Sequence, residues 1–307
     1  MFTTPRLNAW LTETWPHGPI ESVGSTRIGE DYGFGGHVYR LDVETDNGPR
    51  SLVAKRETPD EVSRVVDAYR QMGEALSRRV PALYGWADEV TLFELIAPAT
   101  QGDGLDFEPR QVEPVIHLLA DLHAATWSHV PGRWSTQHWD STRWQARLDL
   151  AGERYPDLMT DRLRDRLVHL HEELPGAISR MQNGSVALVH MDSGYDNTLW
   201  RPDGSLVLLD WSNSGPGPPT LDLAAHITDT EPARVIDVYT SRLLANDLNV
   251  RRQEVVAGLQ QTTRLFVRGM VGFAGRAGEP DQPRLRRLRD SALDVVRRCL
   301  DWIDGWS

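Results

Sequence analysis

The chain has 307 residues, 40% of them hydrophobic, and a formal net charge of −11. A chain this long buries a sizeable core and points to two lobes rather than one. Its acidic balance argues against nucleic acid or an anionic membrane as partner, because affinity for either depends on clustered Lys and Arg. No apolar run reaches the roughly 18 residues of a membrane span, and the start Met1-Phe2-Thr3-Thr4-Pro5-Arg6 lacks a signal-peptide pattern. On those grounds the sequence reads as a cytoplasmic protein, with a monomer or homodimer expected, and the single cysteine, Cys299, rules out an intramolecular disulfide.

Residues 20 to 96 read as mostly β with one helix inserted. Ser25 to Arg27, His37 to Glu44 and Arg50 to Lys55 read as strands, with Asp46-Asn47-Gly48-Pro49 turning between the last two. Pro59 to Ser77 predicts a helix: Val62, Val65, Val66, Tyr69, Met72 and Leu76 recur on one face, and Pro59-Asp60-Glu61 suits a first turn. Val90 to Leu95 reads as one more strand. From about residue 97 the pattern turns helical, with helices expected over Glu108 to Trp127, Ser141 to Arg154, Leu158 to Met181 with a break at Pro175, Leu221 to Leu244, Val250 to Phe273 and Gln282 to Ile303. A short β segment at 186 to 210 interrupts them. The stretch Ala97 to Gly104 is the expected boundary, giving a first lobe of 1–96 and a second of 97–307.

One residue stands out against the composition. Of 33 Lys and Arg, a single one, Lys55, is lysine. Arg is a planar fork and Lys a compact ammonium on a flexible stem, so in a chain that uses Arg everywhere else Lys55 is either a place for a point charge or a lysine that simply survived drift.

The densest chemistry lies at 186 to 210. The apolar strand Val186-Ala187-Leu188-Val189 runs into His190-Met191-Asp192-Ser193-Gly194-Tyr195-Asp196-Asn197. Then come Thr198-Leu199-Trp200-Arg201, the turn Pro202-Asp203-Gly204, and Ser205 to Leu209 ending in Asp210-Trp211. Paired as a hairpin about that turn, the two runs put Asn197 and Asp210 across from each other at the open end. Two oxygen-bearing side chains so placed suit a Mg²⁺ shared with phosphates, and Asp192 beside them suits a base for an attacking hydroxyl.

His190-x-Asp192-x-x-x-x-Asn197, followed by Leu209-Asp210-Trp211 and Leu221-Asp222-Leu223-Ala224, resembles the signature of the aminoglycoside phosphotransferase and choline kinase-like superfamily, relatives of the protein kinases. Met191 stands where that pattern has glycine. The resemblance implies an α+β, two-lobed protein-kinase-like fold with a small β-rich N-lobe and a larger helical C-lobe. It implies Asp192 as catalytic base, Asn197 and Asp210 as Mg²⁺ ligands, His190 as a brace of the loop and Asp222 as a structural carboxylate. It further implies ATP as phosphate donor and a small-molecule hydroxyl as acceptor.

Upstream, the resemblance makes Gly29 to Arg40 the turn that covers the nucleotide, with Gly33, Gly35 and Gly36 letting backbone amides approach phosphate. It has Lys55 hold the α and β phosphates. The acid expected to pair with Lys55 is Glu61, with Asp67 as second choice. Phe93-Glu94-Leu95-Ile96 resembles the hinge strand, where the Glu94 carbonyl and Ile96 amide would bind the adenine edge. Trp127, Trp134, Trp139 and Trp144, with His129, His138 and Asp140, either overhang an acceptor cleft or pack the lower core. The implied acceptor is an antibiotic or other sugar- or nucleoside-containing natural product. A cellular metabolite, an amino alcohol or a sugar, is the alternative, and a catalytically silent nucleotide-binding module a further one. Gly215-Pro216-Gly217-Pro218-Pro219 after Asp210, and the lack of Asp-Phe-Gly and Ala-Pro-Glu triplets, weigh against a protein kinase.

Overall fold

The structure is a computed structural model that describes residues 10–11, 15, 20–29, 37–102, 111–132, 134, 143–228, 230–276 and 283–305. By contacts the chain forms two compact units, Met1–Gly102 with Asp196–Ser214, and Asp103–Tyr195 with Gly215–Ser307. The expected split fell after residue 96; by contacts the first unit runs to Gly102 and also takes in the stretch that carries Asn197 and Asp210.

The first unit is built on a five-stranded antiparallel sheet in the order β1-β2-β3-β5-β4, formed by β1 (Ile20–Ile28), β2 (His37–Thr45), β3 (Gly48–Arg56), β4 (Leu83–Ala87) and β5 (Val90–Glu94). Alternation along the strands divides its faces. Leu41, Val43, Leu52, Ala54 and Leu92 point to one side and pack with Leu11 and Trp15. Val38, Val53, Lys55, Thr91 and Phe93 share the other side, as the pairs Val38↔Lys55, Lys55↔Thr91 and Val53↔Phe93 require. Helix α1 (Pro59–Met72) follows. Thr58 and Glu61 form its capping box, and Gly73, at φ +61°, ends it short of the expected Ser77. A three-stranded sheet completes the unit: β6 (Thr100–Gln101), β8 (Thr198–Trp200) and β9 (Leu206–Leu208), with β8 central.

The second unit is helical. It comprises α2 (Val112–Thr126), α3 (Trp144–Arg154), α4 (Asp161–Gln182), α5 (Pro232–Ala245), α6 (Arg252–Ala274) and α7 (Pro283–Gly305), with a short antiparallel pair β7 (Ala187–Val189) and β10 (Gly215–Gly217). Helix α6 is the hub, packing against α3, α4, α5 and α7. Two expectations are corrected here. Pro175 does not break α4, which runs on to Gln182. An interior proline forfeits one backbone bond, at about 3 kcal/mol, but Leu167, Leu170, Leu174, Ala177 and Met181 form one continuous buried stripe across it. The helix expected over Leu221–Leu244 begins only at Pro232, where proline holds Glu231 extended (ψ 122°). Leu221 ends a short 3-10 helix and residues 222–228 are turns, and they carry Asp222 and His226.

Candidate functional site

In the first unit, Lys55 sits on β3 with its ammonium 2.5 Å from Asp210 Oδ1, 3.0 Å from Glu57 Oε1 and 2.6 Å from the Ser212 hydroxyl. Residues 155 positions apart in sequence thus meet in one ion pair. Lys55 and Glu57 lie two residues apart at the end of a strand, which puts both side chains on one face. Glu57 is buried, accepting from Thr91 Oγ1 at 2.5 Å and from Ser212 Oγ at 2.7 Å. The serine has one proton and two carboxylates within reach, Glu57 and Asp210, so it donates to one at a time. Burial by itself would lower the Lys55 pKa, but the Asp210 and Glu57 carboxylates outweigh it and raise it above the ordinary lysine value. Lys55 is therefore a fixed cation at neutral pH.

Asp210 is delivered by the turn after β9, in a left-handed backbone conformation (φ +57°) that Asp tolerates better than most residues. Arg64 of α1 ties that turn down, its Nε donating to the Ser212 carbonyl at 2.5 Å. Trp211 is buried, with its indole N–H on the Leu208 carbonyl. The hairpin register pairs Thr198 with Leu208 and Trp200 with Leu206, so Asn197 stands opposite Leu209, whose amide donates to the Asn197 carbonyl at 2.7 Å. Asp210 is one residue beyond, a correction of the expected Asn197–Asp210 pairing. The three-residue turn Pro202-Asp203-Gly204 sets this offset, with Arg201 closing onto Ser205.

The expected acids do not pair with Lys55. Glu61 is turned back on its own helix start, accepting from the Thr58 amide at 2.7 Å and the Thr58 hydroxyl at 2.9 Å, while Asp67 meets Arg70 at the surface. Glu57 takes that place. Its sign in the sequence is the period-two spacing Lys55-Arg56-Glu57 at the end of a strand. Glu94 closes β5 opposite Leu52, its amide bonded to the Ala82 carbonyl, and Ile96 is buried just beyond. Gly33, Gly35 and Gly36 lie outside the described residues, as do Trp139, His138 and Asp140. Trp134 and Trp144 are buried and Trp127 half-buried, while His129 is exposed. A recess of about 790 Å³ opens beside the end of β5, between Trp15, Arg50, Tyr84, Glu94 and Leu95, and Lys55 is not among its walls.

In the second unit, the loop after β7 is held by one buried carboxylate. Asp222 Oδ2 accepts from the His190 amide and Oδ1 from the Met191 amide, each at 2.7 Å. His123 Nε2 lies 3.1 Å from the same Oδ2, and His123 Nδ1 lies 2.9 Å from the Tyr239 hydroxyl. With Nε2 protonated and Nδ1 accepting, that chain runs Tyr239 to His123 to Asp222 to loop backbone. Burial pushes the Asp222 carboxyl up, but His123 and the His190 amide more than offset this, so it stays ionised below the usual carboxylate range. Ser193 Oγ donates to the Asp222 carbonyl at 2.9 Å, and His226, wholly buried nearby, has its pKa lowered by burial to about 4. Inside this clamp His190 is buried, and its Nδ1 accepts from the Asp192 amide at 3.3 Å. Asp192 itself is exposed.

Met191 has φ +64°. A side-chain-bearing residue there costs about 1–2 kcal/mol relative to the right-handed region, a cost that glycine would avoid. The Asp222 carboxylate on its amide holds the conformation.

A family model described as "Phosphotransferase enzyme family" matches residues 33–253. No curated protein matches the sequence. Among solved structures, an aminoglycoside phosphotransferase from Alicyclobacillus acidocaldarius is similar at TM-score 0.58 and 16% identity, with 100% of this chain and 97% of that one covered. The choline kinase LicA from Streptococcus pneumoniae is similar at TM-score 0.53 and 14% identity, covering 95% and 98%. A spectinomycin phosphotransferase in complex with ADP and spectinomycin is similar at TM-score 0.59 and 11% identity, covering 99% and 98%. At these identities the likeness is one of fold.

Proposed function

Since this chain belongs to the phosphotransferase enzyme family, we propose that it transfers the γ-phosphoryl group of ATP to a hydroxyl of a small molecule. The observation that carries the reading is the Lys55–Asp210 ion pair. It joins the one lysine of the chain to the acid of Leu209-Asp210-Trp211 within a network of polar residues. The Asp192 carboxylate takes the proton of the acceptor hydroxyl. The acceptor oxygen bonds to the γ-phosphorus, the bond from that phosphorus to the β,γ-bridging oxygen breaks, and ADP leaves with the electron pair. Lys55 fixes phosphate oxygens. Its three N–H groups have three acceptors, and the neutral Ser212 hydroxyl is the one a phosphate oxygen displaces at least cost.

Among the described residues no three of His, Cys, Asp and Glu converge on one point. The oxygen donors Asn197 and Asp210 fit a Mg²⁺ that takes a few protein oxygens and completes its shell with phosphates and water. Bound there, it would neutralise phosphate charge. An antibiotic or other sugar-containing natural product is the acceptor proposed, with an amino alcohol or other metabolite as the second reading.

The test is ADP release from Mg·ATP across a panel of hydroxylated antibiotics, nucleosides and amino alcohols, with Asp192→Asn as control. That variant should bind ATP nearly as the parent does while turnover falls about 100-fold or more. Parent-like turnover would remove Asp192 from the mechanism. In calorimetry, Asp210→Ala should lose the tightening of ATP by Mg²⁺, and a retained Mg²⁺ effect would overturn the ligand assignment.

A further inference from the structure

Four non-glycine residues in the described chain have positive φ: Ser128, Met191, Asp210 and Asp247. Asp and Ser carry short polar side chains that hydrogen-bond locally and soften that conformation. Met191 has no such means, and it is large and apolar. It is also 38% exposed, where burial would otherwise repay an apolar side chain. The position therefore combines backbone strain with apolar exposure, directly before Asp192. Strain of this kind persists where function requires it.

The surroundings are shaped to the side chain. The Met191 methyl reaches the face of β10 that carries Gly215 and Gly217. A Cβ on Gly217 would stand 3.5 Å from it, and one on Gly215 3.9 Å. The Val189 and Leu221 side chains close the same spot, at 2.6 and 3.2 Å from that Gly217 Cβ, so the methyl end of Met191 is seated among apolar side chains while the residue remains exposed. Asp222 fixes the Met191 amide at 2.7 Å, which sets where the side chain starts. A methionine so placed is flexible and polarisable, suited to apolar surface of varied shape.

We propose that Met191 is a specificity-determining contact for the acceptor: it receives an apolar carbon skeleton next to the hydroxyl that Asp192 deprotonates. This rests on the reading of Asp192 as base. The acceptor class it selects is an alcohol with alkyl or deoxygenated carbon beside the reacting oxygen, in preference to a polyol.

Simple n-alkanols, ethanol to hexanol, probe this with the full chain and Mg·ATP, the readout being alkyl phosphate formed relative to inorganic phosphate. In the parent that ratio should rise about two- to fourfold per added methylene, as burial of CH₂ groups predicts. In Met191→Gly it should stay flat along the series, and Met191→Leu should restore most of the rise. A thermal melt accompanies each variant. Met191→Gly should melt no lower than the parent, which separates lost contact from lost fold. A flat series in the parent, absence of alkyl phosphate, or the same rise in Met191→Gly would overturn the proposal. Asp192→Asn distinguishes the two readings. If it forms alkyl phosphate at the parental rate, the base assignment fails. If it is inactive while Met191→Gly keeps the parental rise, only the Met191 contact fails.

Discussion

The two units hold their functional residues by opposite means. Around Lys55, side chains hold one another through charge, with Glu57, Asp210 and Ser212 all reaching one ammonium. Around Asp192, a single buried carboxylate grips two backbone amides, so the side chains at 190 and 191 matter less to the shape of the loop than Asp222 does. The first arrangement depends on the exact form of each side chain, and conservative swaps should damage it. The second depends on one remote residue, whose loss should cost the fold before it costs the chemistry.

The largest effect expected from that contrast is at Asp222. Asp222→Ala leaves the His190 and Met191 amides and His123 without their acceptor, and should destabilise the protein by about 3–5 kcal/mol. Urea unfolding measures it, and a loss under 1 kcal/mol would mean that the clamp is not what holds the loop.

His226 gives the same unit a pH signature. Burial lowers its pKa from 6.5 to about 4, so between those values the unfolded chain takes up a proton that the native one refuses. Stability is full above about pH 6.5 and falls toward pH 4, by about 3 kcal/mol in all. Asp222, held below the usual carboxylate range, contributes its own loss only at lower pH. Unfolding free energies at about pH 7 and pH 4.5 should differ much less in His226→Gln than in the parent.

Lys55→Arg tests the other unit. It conserves charge and changes shape, spreading donors in a fixed fork where three acceptors are set for a compact ammonium. Turnover should fall about 100-fold, the cost of displacing reacting atoms by about 1 Å, with little change in the melt. Steady-state kinetics on the purified variant, beside a melt, decides it. Parental activity would make the lone lysine an accident of composition. The smallest effect is at Glu57. Glu57→Gln keeps the shape but removes one charge from Lys55 and leaves a single oxygen to accept where Glu57 offers two, to Thr91 and Ser212, and about a tenfold loss in kcat is expected, Asp210 remaining as counter-ion. Glu61→Gln, at the helix cap, should leave kcat as it is.

What was legible in the sequence was local. Lys55 showed by composition, the 190–197 loop and Asp210 by spacing, and Asp222 by its Leu-Asp-Leu-Ala setting. What escaped were partners fixed by register and tertiary packing. Glu57 needed β3 to be followed one residue past its end. The offset of Asn197 from Asp210 needed the turn closed between Arg201 and Ser205. His123 and Tyr239, 116 residues apart, carry no local sign that they share a hydrogen bond. The helix expected over Leu221–Leu244 starts only at Pro232, because proline holds the residue before it extended. The residues freed from that helix became the turn that braces the loop.

The division of the chain has a consequence for its heredity. The backbone passes from one unit to the other near 102, again at 195–196, and again at 214–215. No single crossover in a gene can therefore exchange one unit whole. A recombinant joined after residue 96 would inherit Lys55 and Glu57 from one parent and Asp210 and Ser212 from the other, so a four-residue network would have to match across two lineages at once. The segment 196–214 lies between the two halves of the second unit, so any single crossover that keeps this network whole must carry residues 103–195 with it.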